Sequence, residues 1–122
     1  MWDGFNKRKF PRLNLRCEIS IHPDEKRAGI SAVTENVGVG GVCVILDQSL
    51  ERFSGCRVRL ELDDQSPEIH CAGKVVWTVP TQDSATSPKR FDTGIEFVGL
   101  GTAEREVLRK FLQVQVQKET GR

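Results

Sequence analysis

Alternation of apolar and polar residues is the main pattern along most of the chain. From residue 13 to residue 21, apolar side chains occupy every second position, with polar side chains between them. A period of two is typical of a strand with one buried face. Related patterns predict five further strands, at residues 30–37, 41–46, 56–64, 68–79 and 90–98.

The pattern changes after Gly101, where apolar residues recur at helical spacing. Four of them would share one face of a helix: Val107, Leu108, Phe111 and Leu112. Thr102 is a suitable N-cap, and Glu104 would lie near the positive end of the helix dipole. We expect an amphipathic helix over about residues 102–116 and a frayed tail at residues 117–122.

Six half-buried strands and one terminal helix predict a mainly β protein with an antiparallel sheet. A six-stranded β-barrel is favoured because closure removes exposed strand edges. The C-terminal helix would cover an end or a flank of this barrel. Within the fifth strand, Gly73 predicts a bulge or bend. The 122 residues fit one domain with one core.

Composition argues against a membrane protein and against a secreted one. No apolar run reaches the roughly 18 to 20 residues that a membrane span needs, and the N-terminus lacks the apolar stretch of a signal peptide. We therefore expect a cytoplasmic protein. Its four cysteines form no CxxC pair, so no zinc site is predicted. Cys17 and Cys71 fall on the apolar phase of their strands, where we expect buried, reduced thiols.

Catalytic motifs are missing from the sequence. It contains no GxSxG, no HExxH and no Walker loop. We therefore expect a protein that is not an enzyme and that needs no metal ion.

Positive charge is concentrated at the N-terminus. Residues 1–16 hold five cations and one acid, whereas the net charge of the whole chain is only +1. A protein that coats nucleic acid would usually spread its charge more widely. Binding of single-stranded nucleic acid is a weaker interpretation, because the aromatic residues on which bases would stack are also sparse. The local charge favours a small, multiply anionic ligand.

The segment KRKFPR, residues 7–12, contains two arginines four positions apart. Pro11 disfavours a helix and holds the segment extended, which separates the Cα atoms of Arg8 and Arg12 by about 13 Å. An arginine fork can bind phosphate, or guanine O6 and N7, through two hydrogen bonds. Taken alone, however, the segment is also typical of a solvated basic leader.

The segment NVGVGG, residues 36–41, lies between the second and third strands. Its three glycines permit positive φ and leave backbone N–H groups unshielded. Alone, it predicts a tight turn with a bulge.

The two segments together resemble the signature of the PilZ family, in which RxxxR precedes the first strand and [D/N]xSxxG follows at a strand turn. Arg8 and Arg12 match the first motif, and Asn36 and Gly41 match the second. VVWT, GIEFVGL and EREVLRKFL are also similar to later segments of the family, so the resemblance spans residues 7–113. It leaves residues 1–6 as a flexible leader and implies a split-barrel fold.

The resemblance implies a receptor for cyclic di-GMP, a bacterial second messenger. In the family, the residues matched by Arg8 and Arg12 engage phosphates and guanine edges, and the residue matched by Asn36 reads a guanine. The small residues at the positions of Gly38 and Gly41 let the backbone approach the ligand. Binding would order the N-terminal segment over the barrel and change the surface shown to a protein effector in motility or biofilm regulation.

Two further positions are candidate ligand contacts by resemblance. Lys7 stands where the family often has a third arginine, so it keeps the charge but lacks the fork. The family also often has an aromatic residue at the position of Trp77, where it could face a guanine. The alternative is a core or barrel-end position, because Trp77 shares the phase of Val75 and Val79. Whether one ligand molecule or an intercalated dimer binds stays open.

Gly38 departs from the family pattern, which has serine at this position. Loss of a hydrogen bond to a charged group costs about 1.5 to 3 kcal/mol, so binding should be some 10- to 150-fold weaker. We expect binding to persist because both arginines are present. The alternative is a degenerate adaptor that binds a protein partner without nucleotide.

Overall fold

The computed structural model describes residues 13–23, 28–81 and 90–120. It contains six strands and one helix: β1 (Glu18–His22), β2 (Ile30–Val37), β3 (Gly41–Leu46), β4 (Gly55–Glu61), β5 (Ile69–Pro80), β6 (Phe91–Phe97) and α1 (Thr102–Thr120). All six predicted strands and the helix are therefore confirmed, although β1 is shorter than expected. The helix continues to Thr120, beyond the end predicted at residue 116 and into the tail expected to fray. The leader and KRKFPR lie outside the described residues.

The strands form a closed barrel in the order β1-β2-β3-β6-β5-β4. Every neighbouring pair is antiparallel, and β1 closes the barrel by pairing with β4 as well as with β2. This confirms the predicted fold class. Closure leaves none of these six strands with an unpaired edge.

Apolar residues from all six strands fill the interior. The completely buried ones include Ile21, Val37, Val42, Val44, Leu60, Ile69, Val75 and Ile95. Thr34 is also fully buried, and its hydroxyl donates a 2.7 Å hydrogen bond to the carbonyl of Leu15 while accepting one of 2.8 Å from the N–H of Cys17. These bonds anchor the chain before β1 to β2.

Helix α1 packs against the barrel, as predicted. Leu108 and Leu112 are buried in the same core as the strands. At the start of the helix, the Glu104 carboxylate accepts a 3.1 Å hydrogen bond from the backbone N–H of His70 in β5. Within the part of the chain that the structure describes, no helix is long and apolar enough to cross a membrane.

All four cysteines are buried and free of disulfide bonds, as expected for Cys17 and Cys71. Burial raises the pKa of Cys71 to about 11, so this thiol is protonated at neutral pH.

Gly73 does not form the predicted bulge. It pairs in regular register with Cys56 of β4 and Phe97 of β6. A Cβ at this position would lie 2.8 Å from Cγ2 of Ile95 inside the barrel. Glycine is therefore needed here for close packing in the interior, and the bulge in β5 lies further along the strand.

Candidate ligand-binding site

Four residues form a continuous row across four strands on the outer wall of the barrel. Asn36 of β2 is opposite Cys43 of β3, Cys43 is opposite Gly94 of β6, and Gly94 is opposite Trp77 of β5. We call these four residues the outer row. Along the wall of the barrel, Asn36 and Trp77 are three strand spacings apart, about 14 Å, so their strands lie on opposite sides of the six-stranded barrel.

A bulge in β2 sets the place of Asn36. Thr34 pairs with Val44, but the next pair joins Asn36 to Cys43, so Glu35 is the extra residue. Thr34 and Val37 are both fully buried. The two residues between them, Glu35 and Asn36, are therefore both directed to the outside.

A second bulge, at Val76 in β5, sets the place of Trp77. Val75 pairs with Ile95, and the next pair joins Trp77 to Gly94. The extra residue reverses the alternation of the strand, so Trp77 no longer shares the inward phase of Val75. The core position considered for Trp77 from sequence phase is therefore wrong, because Trp77 lies on the outer wall.

The indole of Trp77 lies against the backbone of β6 at Gly94. A Cβ on Gly94 would come 2.5 Å from Cδ2 and 2.6 Å from Cε2 of the indole. Only glycine leaves room for the ring at this distance. Sequence reasoning missed Gly94, although a glycine inside a strand is a known sign of close approach.

The glycine-rich segment forms a two-residue turn between β2 and β3. The N–H of Gly38 donates a 2.9 Å hydrogen bond to the carbonyl of Gly41, and the carbonyl of Gly40 accepts one of 2.8 Å from Phe97. A Cβ on Gly41 would collide with the carbonyl oxygen of Ile95 in β6. None of the glycines in the described ranges has a positive φ. Close approach of two strands, rather than unusual φ, explains the requirement for glycine at position 41.

Cys43 lies at the centre of the outer row and was not singled out by the sequence. Its neighbours Val42 and Val44 point into the core, so Cys43 points outward, yet it is only 7% exposed. Its thiol donates a 2.8 Å hydrogen bond to Oδ1 of Asp92 in β6. This hydrogen bond links β3 to β6 and places the carboxylate of Asp92 next to the outer row.

A family model of the PilZ domain matches residues 6–113. The chain belongs to the PilZ domain family. The resemblance carried by the RxxxR and NxGxxG segments is thereby confirmed. By sequence, no curated protein is significantly similar to the chain.

Several solved structures share the fold. Bacillus subtilis MotI/DgrA, an inhibitor of motility, superposes with a TM-score of 0.74 at 20% identity over 94% of this chain and 53% of its own. The complex of MrkH from K. pneumonia with c-di-GMP gives a TM-score of 0.75 at 14% identity over 92% of this chain and 53% of its own. The PilZ domain of Escherichia coli YcgR with c-di-GMP gives 0.71 at 9% identity over 93% and 96%.

This chain therefore spans about half the length of MotI and MrkH. It spans almost the whole of the isolated PilZ domain of YcgR.

In this PilZ domain, four of the seven predicted site residues lie at or beside the outer row. Asn36 and Trp77 belong to it, and Gly38 and Gly41 form the turn that follows Asn36. The other three are the N-terminal cations Lys7, Arg8 and Arg12, which lie outside the described residues.

A shallow cavity of about 420 Å³ lies beside the outer row, within the size range of ligand pockets. Its wall includes two cations and two acids: Arg16, Glu35, Asp47 and Arg90. Arg16 and Glu35 form a loose ion pair at 3.9 Å. In the described segments, no three histidine, cysteine or acidic side chains group together as a metal site would require.

Proposed function

We propose that this PilZ domain is a receptor for cyclic di-GMP, which binds along the outer row with help from the N-terminal arginines. The observation that carries the proposal is the pairing of Leu13 with Val37. Each residue donates a 2.9 Å hydrogen bond to the carbonyl of the other. Val37 directly follows Asn36, and Arg12 directly precedes Leu13. This bridge holds Leu13, the residue that follows the RxxxR motif, next to the glycine turn, and this supports the proposal.

In this proposal, the residues of the two motifs contact different parts of the ligand. Arg8 and Arg12 bind the phosphates and guanine edges of the ligand through their forks, with Lys7 as additional charge. Asn36 hydrogen-bonds a guanine, because its amide can both donate and accept. MrkH and YcgR, which share this fold, have each been solved with c-di-GMP.

Gly38 and Gly41 contribute space in this proposal. Gly38 lacks the serine hydroxyl that would donate a hydrogen bond to a phosphate of the ligand. Its backbone N–H cannot take over that role, because it already donates to the carbonyl of Gly41. Trp77 borders the opposite end of the ligand, held in place by its packing on Gly94.

Ligand binding would order residues 7–12 over the barrel. Because Leu13 is paired with Val37 next to the turn, ordering of the segment would change the surface beside the turn. A protein effector that controls motility or surface attachment would bind the changed surface. We expect no catalysis, no cofactor, no nucleic-acid ligand and a cytoplasmic location.

Titration calorimetry with cyclic di-GMP tests the proposal, with cyclic di-AMP as the matched ligand. Both carry the same two phosphates, but cyclic di-AMP lacks the guanine edges that Asn36 and the arginines would read. We expect heat with cyclic di-GMP and much weaker binding of cyclic di-AMP. No binding of either, or equal binding of both, would contradict the proposal.

The alternative is a degenerate adaptor that binds its partner without nucleotide. The glycine at position 38 is the observation that favours it. It requires that binding of a protein partner survive replacement of both Arg8 and Arg12 and be independent of cyclic di-GMP.

A further inference from the structure

The outer faces of β4 and β5 carry a second group of charged residues. Arg57 and Arg59 alternate with the buried residues Val58 and Leu60, so both arginines point outward, and both are exposed. Lys74 of β5 is exposed between Gly73 and Val75. Together with Arg52 and Phe53 in the preceding loop, these residues form what we call the basic surface.

The cations of the basic surface have no acidic partner among the residues that the structure describes. The ion pairs in those residues join Arg16 to Glu35, His70 to Glu68, and Arg109 to Glu106. None of them involves Arg52, Arg57, Arg59 or Lys74. Four exposed positive charges thus form no ion pair on one side of a barrel whose chain has a net charge of only +1.

Phe53 is the unusual residue of this surface. Its φ of 70° lies in the left-handed region, which costs a residue with a side chain roughly 1 to 2 kcal/mol. The N–H of Phe53 donates a 2.6 Å hydrogen bond to the carbonyl of Val75, and the N–H of Val75 donates one of 2.9 Å to the carbonyl of Ser54. The loop is therefore held against β5 in this conformation.

The ring of Phe53 is nevertheless exposed, because the residue is 59% accessible. The guanidinium carbon of Arg52 lies 4.8 Å from the ring centroid, and Nζ of Lys74 lies 5.7 Å from it. Both distances are within the range of cation–π attraction. The strained backbone thus presents an apolar ring at the surface with a cation on either side, and burial does not compensate for the strain.

We infer that the basic surface binds a short acidic segment of a partner protein, with an apolar residue of that segment packed on Phe53. Arg57 and Arg59 project from one strand face about 7 Å apart, the spacing of alternate side chains in an extended peptide. Alternating carboxylates could therefore pair with successive cations. Its arginines Arg57 and Arg59 lie on β4, opposite β3 in the barrel, whereas Lys74 shares β5 with Trp77 of the outer row.

A long polyanion fits this surface less well than a short segment. Beyond Arg59, Glu61 of β4 pairs with Glu18 of β1, which places two acids side by side. Glu51 precedes Arg52 at the other end, and Glu96 is opposite Lys74. A nucleic-acid backbone with continuous charge would run onto these carboxylates, whereas a segment of about six residues would end before them.

Nuclear magnetic resonance of the ¹⁵N-labelled full chain tests this inference. The probe is a synthetic peptide of alternating glutamate and leucine, and the matched probe has glutamine in place of glutamate. We expect the acidic peptide alone to shift the amide signals of Phe53, Arg57, Arg59 and Lys74. Shifts spread over the whole barrel, or equal shifts with the glutamine peptide, would overturn the inference.

Two variants separate a binding surface from a structural one. Phe53→Gly relieves the strained φ, so it should unfold at the same temperature as the parent or higher, yet bind the acidic peptide about threefold more weakly or worse. Arg57→Glu with Arg59→Glu should weaken binding at least about tenfold. The control, Arg105→Glu with Lys110→Glu, makes the same change in net charge on α1 and should bind as the parent does.

Competing polyanions provide the remaining test. An oligothymidylate and vesicles of phosphatidylglycerol are titrated under the same conditions. Tighter binding of either than of the acidic peptide, or unchanged peptide binding by Phe53→Gly, would overturn the inference.

Discussion

The indole of Trp77 lies flat on Gly94, at a distance that leaves no room for a side chain on the glycine. Gly94→Ala should therefore displace the indole and destabilise the barrel by about 1 to 3 kcal/mol, although alanine is otherwise favoured over glycine in a strand. Fluorescence in a Trp2→Phe background and urea unfolding measure the two effects.

Gly55→Ala is the matched control, because a Cβ there would meet its nearest neighbour at an ordinary 3.9 Å. It should leave both the indole fluorescence and the stability unchanged or slightly improved. If Gly94→Ala leaves fluorescence and stability as Gly55→Ala does, contact with Gly94 does not determine the position of the indole.

Gly38→Ser should strengthen binding of cyclic di-GMP. The serine hydroxyl would restore a hydrogen bond to a phosphate, which is worth about 1.5 to 3 kcal/mol, or roughly 10- to 150-fold in affinity. Calorimetry measures the change. Gly40→Ser is the control, because a Cβ on Gly40 faces open space and should leave affinity unchanged. Weaker binding by a Gly38→Ser protein with normal thermal stability would refute our account of this position.

Arg8→Ala and Arg12→Ala should each reduce affinity for cyclic di-GMP by roughly 10- to 150-fold, because each removes hydrogen bonds to a charged ligand. The same titration of Lys110→Ala, which removes one positive charge from the exposed face of α1, should match the parent. An equal loss in all three variants would mean that net charge, rather than the RxxxR motif, determines affinity.

Stability should fall as pH rises above about 9. The pKa of the Cys71 thiol is raised, mainly by burial, from 9.0 to about 11 in the folded protein. Between these values the unfolded thiol has lost its proton while the folded thiol keeps it, so rising pH favours unfolding. Urea unfolding between pH 7 and pH 11 should therefore show a steeper loss of stability for the parent than for Cys71→Ala. Parallel pH profiles for the two proteins would be incompatible with this effect.

Much of the fold was predictable from sequence because the information is local. Alternation from Leu13 to Ile21 and along residues 56–62 marks each strand and its buried face without reference to any other strand. The motif residues Asn36 and Gly41 were also recognisable in sequence, and they lie at the β2–β3 turn. The residues missed at the site, Cys43 and Gly94, were given no role from sequence and become significant only through their neighbours on other strands.

The sequence by itself determined the six strands, the helix and the family, since each depends on short-range periodicity or on residues at fixed spacing. Only the tertiary structure decided which residues face the outside at the outer row. The extra residues Glu35 and Val76 are bulges because of their register with β3 and β6, and a register exists only once strands pair. One unpaired residue reverses the alternation that follows it, and this places Trp77 on the outer wall rather than at the core position that its sequence phase had left open.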